Sequence, residues 1–173
     1  MPNEDNSLTM PIKAHSQGLD SLIEEIEARA KRVAIRRLCY IGEQVVNKAR
    51  SLPTPPQSLY WDAATGSKKG TIPPHQPNYI AWTANLRSSI GYVVVCDGQV
   101  QRLSDFEPTK ASASEGSNSG RSYAERLAAG YPSGLVLIVV AGMNYAAYVQ
   151  RKGYDVTASA ELLAEKLLKE IAA

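Results

Sequence analysis

The sequence predicts an α+β fold: a small antiparallel β-sheet packed against a long N-terminal helix and a C-terminal helix, with long extended loops between them. Three observations lead there. Apolar residues recur at three- and four-residue steps over 19–49, a β-branched run occurs at 93–95 and a continuous Val/Ile/Leu run within 134–141, and a second helical stripe closes the chain.

The first helix is defined by Leu19, Leu22, Ile23, Ile26, Ala30, Val33, Ala34, Leu38, Ile41, Val45 and Ala49, which form one stripe expected to be buried along its length. Glu24, Glu25 and Glu27 are expected near its start, where the helix dipole favours acids, and Glu25–Arg29 and Glu27–Lys31 have the spacing of side-chain pairs. Pro53, Pro55 and Pro56 end it, because proline has no amide donor and disfavours a helical residue before it. Residues 52–78, LPTPPQSLYWDAATGSKKGTIPPHQPN, hold six prolines and little periodicity, which predicts an extended arm with Leu59, Tyr60 and Trp61 as its apolar group.

NLRSSIGYVVVCDGQVQRL reads as strand, turn, strand, because Asp97-Gly98 suits a type I′ turn in which both central residues need positive φ. Residues 107–121, EPTKASASEGSNSGR, are expected to be a mobile Ser/Gly-rich loop, and SYAERLAAGY a short helix closed by Gly130. The continuous run Leu135–Val140 predicts the central buried strand, with Gly142 allowing a close turn beyond it. NYAAYVQRKG predicts a helix closed by Gly153, on which Tyr145 and Tyr148 share a face and Gln150, Arg151 and Lys152 point outward. Core packing is the plainer expectation for the two tyrosines. The last helix starts at about Ser159, with Ala160, Leu163, Ala164, Leu167, Leu168 and Ile171 as its stripe.

Composition narrows the function classes. At 173 residues the chain suits one domain, which buries about 70% of its unfolded surface. That domain is expected to carry a flexible segment at 1–17. A net charge of +2 gives no mandate for nucleic acid or membrane. Cys39 and Cys96 lie in apolar periodic segments at no metal or redox spacing, so free thiols in a reducing compartment are expected. No apolar run reaches a membrane span, and MPNEDNSLTMPIKAHSQG lacks a basic stretch followed by an apolar one. No signal peptide or membrane partner is expected, and the chain should remain in the compartment where it is made.

The residues for catalysis are scarce. His15 and His75 have no Cys, Asp or Glu at ligand spacing, which argues against a histidine-based metal site, and both fall in segments too irregular for a Ser-His-Asp triad. TGSKKGT lacks the phosphate-loop register, and AGMNY has no Ser or Cys nucleophile. Asp97 has its turn to explain it, among Asp105 and Glu107. The expectation is therefore no enzyme and no cofactor. Arg29, Lys31, Arg32, Arg36 and Arg37 gather on the first helix, where a solvated face is the plain reading. Contact of Lys31, Arg32, Arg36 and Arg37 with a phosphate backbone is the sharper one, giving an accessory nucleic-acid-binding protein as the alternative.

Two segments together resemble a known family. ANLRSSIGYVVVCDG, Ala84–Gly98, is similar to the TGNLRSSI element of small tail-completion proteins of long-tailed bacteriophages and prophages, also called minor tail or head-tail joining (neck) proteins. VVAGMNYAAYVQRKGYDV, Val139–Val156, is similar to the YAxYVExG element of the same family. The likeness covers 85–173 well and 19–50 loosely. Ala84 stands where the family has glycine, Gln150 where it has glutamate, and the arm at 52–78 looks like an insertion. The resemblance implies a structural virion protein, made in the host bacterial cytoplasm and placed at the neck or tail junction. It implies assembly as a homo-oligomeric ring between connector or stopper proteins and the tail-tube protein. Tyr60, Trp61, Tyr145, Tyr148, Gln150 and Arg151 are the expected interface residues, since large aromatics dominate interface energetics. The basic helix face would then line a channel for genomic DNA.

Overall fold

The computed structural model describes residues 13–54, 61–62, 64–68, 79, 81 and 83–172. The α+β class holds: a long N-terminal helix, a three-stranded antiparallel sheet and a C-terminal helix. The chain divides into two compact units, Met1–Ala34 and Ile35–Ala173.

Helix α1 spans Lys13–Arg50 and passes through both units. It starts earlier than the stripe predicted, so no acid lies in its first turn, and Glu24, Glu25 and Glu27 gain nothing from the N-terminal dipole. The stripe is also not buried throughout. In the first unit Leu19, Leu22, Ile23 and Ile26 stay 47–59% exposed, whereas in the second Ile41, Val45, Val46 and Ala49 are in the core. Of the arm at 52–78, the described part includes a two-stranded ribbon, β1 (Trp61–Asp62) against β2 (Ser67–Lys68), with Gly66 at φ 61°.

In the second unit, α2 (Asn85–Ser88) leads into β3 (Ile90–Cys96) and β4 (Gln99–Leu103). Asp97 at φ 49° and Gly98 at φ 78° make the tight turn between these strands. A 3-10 turn, Ala111–Ala113, then runs into α3 (Ser114–Ala128), followed by β5 (Leu135–Ala141), α4 (Ala146–Arg151) and α5 (Ala158–Ala172). The strand order is β4-β3-β5, so the central strand is β3 and not the Leu135–Val140 segment, which forms an edge. Every residue of β3 is buried, while β5 is mostly half-buried. An unbroken apolar run reports burial but not position in the sheet order.

Helices cover both faces of β3. Ile90, Tyr92 and Val94 pack with Ile41, Val45 and Ala49 of α1, Ala146 of α4, and Val156 and Ala160 beside and on α5. On the opposite face Val93 and Val95 pack with Phe106 and with Ala124 and Ala128 of α3. The expected mobile loop at 107–121 is thus corrected: residues 114–121 are the first half of α3, and the short helix expected at 122–131 is its second half. Tertiary packing outweighs the poor helix propensity of Ser and Gly there. A Cβ on Gly116 would sit 2.0 Å from the Asn85 carbonyl oxygen, and one on Gly120 2.5 Å from that of Ser89. Only glycine lets this helix lie so close.

Candidate functional site

The NLRSSI element is a structural hub. Ala84 precedes α2 in the left-handed region, φ 62°, ψ 7°, and its amide neighbour Asn85 is buried. Asn85 Nδ2 donates to Glu115 Oε2 at 2.8 Å and its Oδ1 accepts from the Gly116 amide at 3.3 Å, which joins α2 to the start of α3. The Ser88 hydroxyl accepts from the Thr109 amide at 2.9 Å, and Ser89 Oγ donates to the Leu86 carbonyl at 2.7 Å. Arg87 reaches back to the end of α1, donating to the Leu52 carbonyl at 2.5 Å and to Thr54 Oγ1 at 2.7 Å, with its guanidinium 6.0 Å from the Tyr79 ring centre. Asn85, Ser88 and Ser89 thus find partners within the fold, which costs less than leaving them unpaired, whereas Arg87 Nε and the Tyr79 hydroxyl are buried without one among the described residues.

The Gly142 end of β5 carries the second element. A Cβ on Gly142 would meet Gly120 Cα at 2.5 Å, and the Gly142 amide donates to the Ser89 carbonyl at 3.1 Å. Beyond it the chain turns into α4, which ends at Gly153, φ 87°. Neither tyrosine here is core: Tyr145 is 39% exposed and Tyr148 58%. Tyr145 lines a shallow cavity of about 240 Å³ with Tyr79, Ala84, Asn85, Leu86 and Val149. Its phenol is pushed up from the ordinary tyrosine value, first by burial and then by Glu115 and Tyr79. Tyr148 carries the Lys152 ammonium 5.5 Å from its ring centre. Gln150 and Arg151 are exposed. The Thr157 hydroxyl lies 3.1 Å from Gln150 Oε1 and 3.0 Å from Glu161 Oε1, and the carboxylate is the stronger acceptor for its single proton. Arg151 Nε donates to the Ala147 carbonyl of its own helix at 3.3 Å.

A third feature was missed from the sequence. In the second unit, α1 and α5 leave an open apolar groove of about 280 Å³ lined by Arg36, Arg37, Tyr40, Ile41, Leu167, Glu170 and Ile171. Tyr40, Leu168 and Ile171 expose 59%, 43% and 38% of their surface on these two helices. Arg36 and Arg37 are therefore placed beside apolar surface, while the exposed Lys31 and Arg32 belong to the first unit. The signal in the sequence was the aromatic Tyr40 at i+3 and i+4 from the arginine pair, on the same side of the helix. The side chains of Tyr60 and Trp61 lie outside the described residues, as do those of His15 and His75.

Cys39 and Cys96 are free thiols, the first half-buried and the second buried. Among the described residues no group of three His, Cys, Asp or Glu could hold a metal ion, and no helix is long and apolar enough to cross a membrane. These surfaces expose aromatic and aliphatic area beside charged groups, Arg36, Arg37 and Glu170 at the groove and Lys152 at Tyr148. The chain matches no protein-family model, no curated protein and no solved structure.

Proposed function

We propose that the protein is a structural component of a phage or prophage virion, acting at the neck or tail junction by ring assembly and protein–protein contacts. The reading joins the resemblance of Ala84–Gly98 and Val139–Val156 to tail-completion proteins with one structural observation. That observation is the exposed apolar groove between α1 and α5, with Tyr40 and Ile171 open and Arg36 and Arg37 in its lining. A ring needs two different surfaces on each subunit, one to give and one to receive. The groove is one such surface, and the α4 corner with Tyr145, Tyr148, Gln150 and Arg151 is a second.

The test is native mass spectrometry of the purified chain, alone and with the cognate connector and tail-tube proteins. A closed multimer, alone or on the partner, is expected. A chain that stays monomeric and unbound in both settings overturns the reading.

A second reading rests on the five bases between Arg29 and Arg37, with no acid among them. In that case the chain is an accessory DNA-binding protein using Lys31, Arg32, Arg36 and Arg37. It predicts duplex affinity that falls steeply with salt and disappears when these four become serine. Unchanged affinity in that variant removes it.

A further inference from the structure

Between Asp20 and Arg36, α1 carries its charge in two blocks. Asp20, Glu24, Glu25 and Glu27 are followed by Arg29, Lys31, Arg32 and Arg36, and these two sets of four are mirror images about Ala28, with Arg37 beyond them opposite Leu19. Glu27 is as far from Ala28 as Arg29, Glu25 as Lys31, Glu24 as Arg32, and Asp20 as Arg36. The apolar positions obey the same inversion, Ile26 with Ala30, Ile23 with Val33 and Leu22 with Ala34. The first half of this stripe is open: Leu22 is 53% exposed, Ile23 47% and Ile26 59%.

We propose that this stretch of α1 is a self-association surface whose occupant is the same stretch of a second copy, running antiparallel about a two-fold axis level with Ala28. The charge pattern selects that occupant. In an antiparallel pair each acidic turn lies level with the partner's basic turn, and the exposed Leu22, Ile23 and Ile26 lie level with Ala34, Val33 and Ala30. A parallel pair would stack acidic block on acidic block and basic block on basic block, which like-charge repulsion disfavours. Small residues facing large ones also let two helices approach closely. The surface belongs to α1 alone and reaches Arg36, which also lines the α1–α5 groove. Residues 24–32 lie in the first unit and outside that groove, so charge changes there test pairing separately from ring assembly.

Sedimentation equilibrium of the full chain at low salt over a range of concentrations tests it, together with two charge-swapped variants. One carries Glu24→Lys, Glu25→Lys and Glu27→Lys, the other Arg29→Glu, Lys31→Glu and Arg32→Glu. Each alone is expected to weaken self-association by about tenfold or more, and mixing the two restores a one-to-one pair. That rescue shows both variants to be folded. Spin labels at Ser21→Cys in a Cys39→Ala background then report direction. In the antiparallel pair they are offset by about 20 Å along the axis, whereas in a parallel pair they lie level. A native chain that is monomeric throughout overturns the proposal, as do labels at the same level. An oligomer indifferent to both charge swaps also overturns it while leaving ring assembly untouched. Salt-dependent DNA binding by a chain that never pairs would assign the basic block to nucleic acid instead.

Discussion

Ala84 holds a backbone conformation, φ 62°, that costs an L-residue about 1–2 kcal/mol. Glycine there would relieve the strain but lose a buried methyl group worth about 0.8 kcal/mol and add unfolded-chain entropy of about 0.5–1 kcal/mol. The terms nearly cancel, so Ala84→Gly should move the thermal midpoint little. Ala84→Val, β-branched at positive φ, should cost about 2 kcal/mol or more, and calorimetry of the pair checks both. At Tyr92 the phenol donates to Glu43 Oε1 at 2.8 Å while its ring is fully buried, and burial followed by that carboxylate pushes its pKa up to about 12. The folded state therefore holds this proton more tightly than the unfolded chain does. The stabilisation is complete below the ordinary tyrosine value near 10 and is lost as pH rises through about 12. Urea midpoints of the native chain should fall more steeply between those pH values than those of Tyr92→Phe. A parallel decline of the two would remove the effect from Tyr92.

Among the elements, the tightest packing is backbone on backbone. Gly116 lies on Asn85, and Gly142 crosses Gly120 where β5 leaves the sheet over α3. Gly116→Ala or Gly142→Ala should each cost about 3 kcal/mol, because no side chain can move aside to make room. Gly130→Ala, with only a 3.2 Å approach to the Leu127 carbonyl, should cost far less, and denaturant unfolding of the three variants ranks them. Here the reach of the sequence is also visible. The β3–β4 hairpin was legible because Asp97-Gly98 states its own geometry, and the helix over 19–49 because its period is local. The first half of α3 was not legible, since its glycines are favourable only against Asn85 and Ser89, which lie far away in sequence. Nor could the apolar run of β5 distinguish a sheet's edge from its centre. The candidate surfaces followed the same rule. The outward Gln150 and Arg151 could be read from spacing, but the α1–α5 groove needed a pair of helices brought together by the fold.

At the level of the whole molecule, stability and assembly are predicted to separate. Tyr40→Asp and Ile171→Asp change exposed positions of the groove, so the unfolding free energy should shift by no more than about 0.5 kcal/mol. Under the ring reading the same substitutions should abolish the multimer seen by native mass spectrometry. Loss of the fold together with the multimer would instead make the groove part of the core. Hydrogen-bonded residues around α2 such as Asn85, Arg87 and Ser88 should behave in the opposite way, with alanine lowering stability first and assembly only as a result.

The placement of β5 also has a kinetic consequence. Its pairs with β3, from Cys96 with Leu135 to Ile90 with Ala141, close chain segments of roughly forty to fifty residues, whereas β3 meets β4 across a two-residue turn. The hairpin can therefore form within microseconds, and the third strand must wait for α3 to be laid down between them. Pulse-labelled amides of β4 should accordingly become protected before those of β5 on a newly refolding chain, so that the strand most apolar by sequence is the last to be locked.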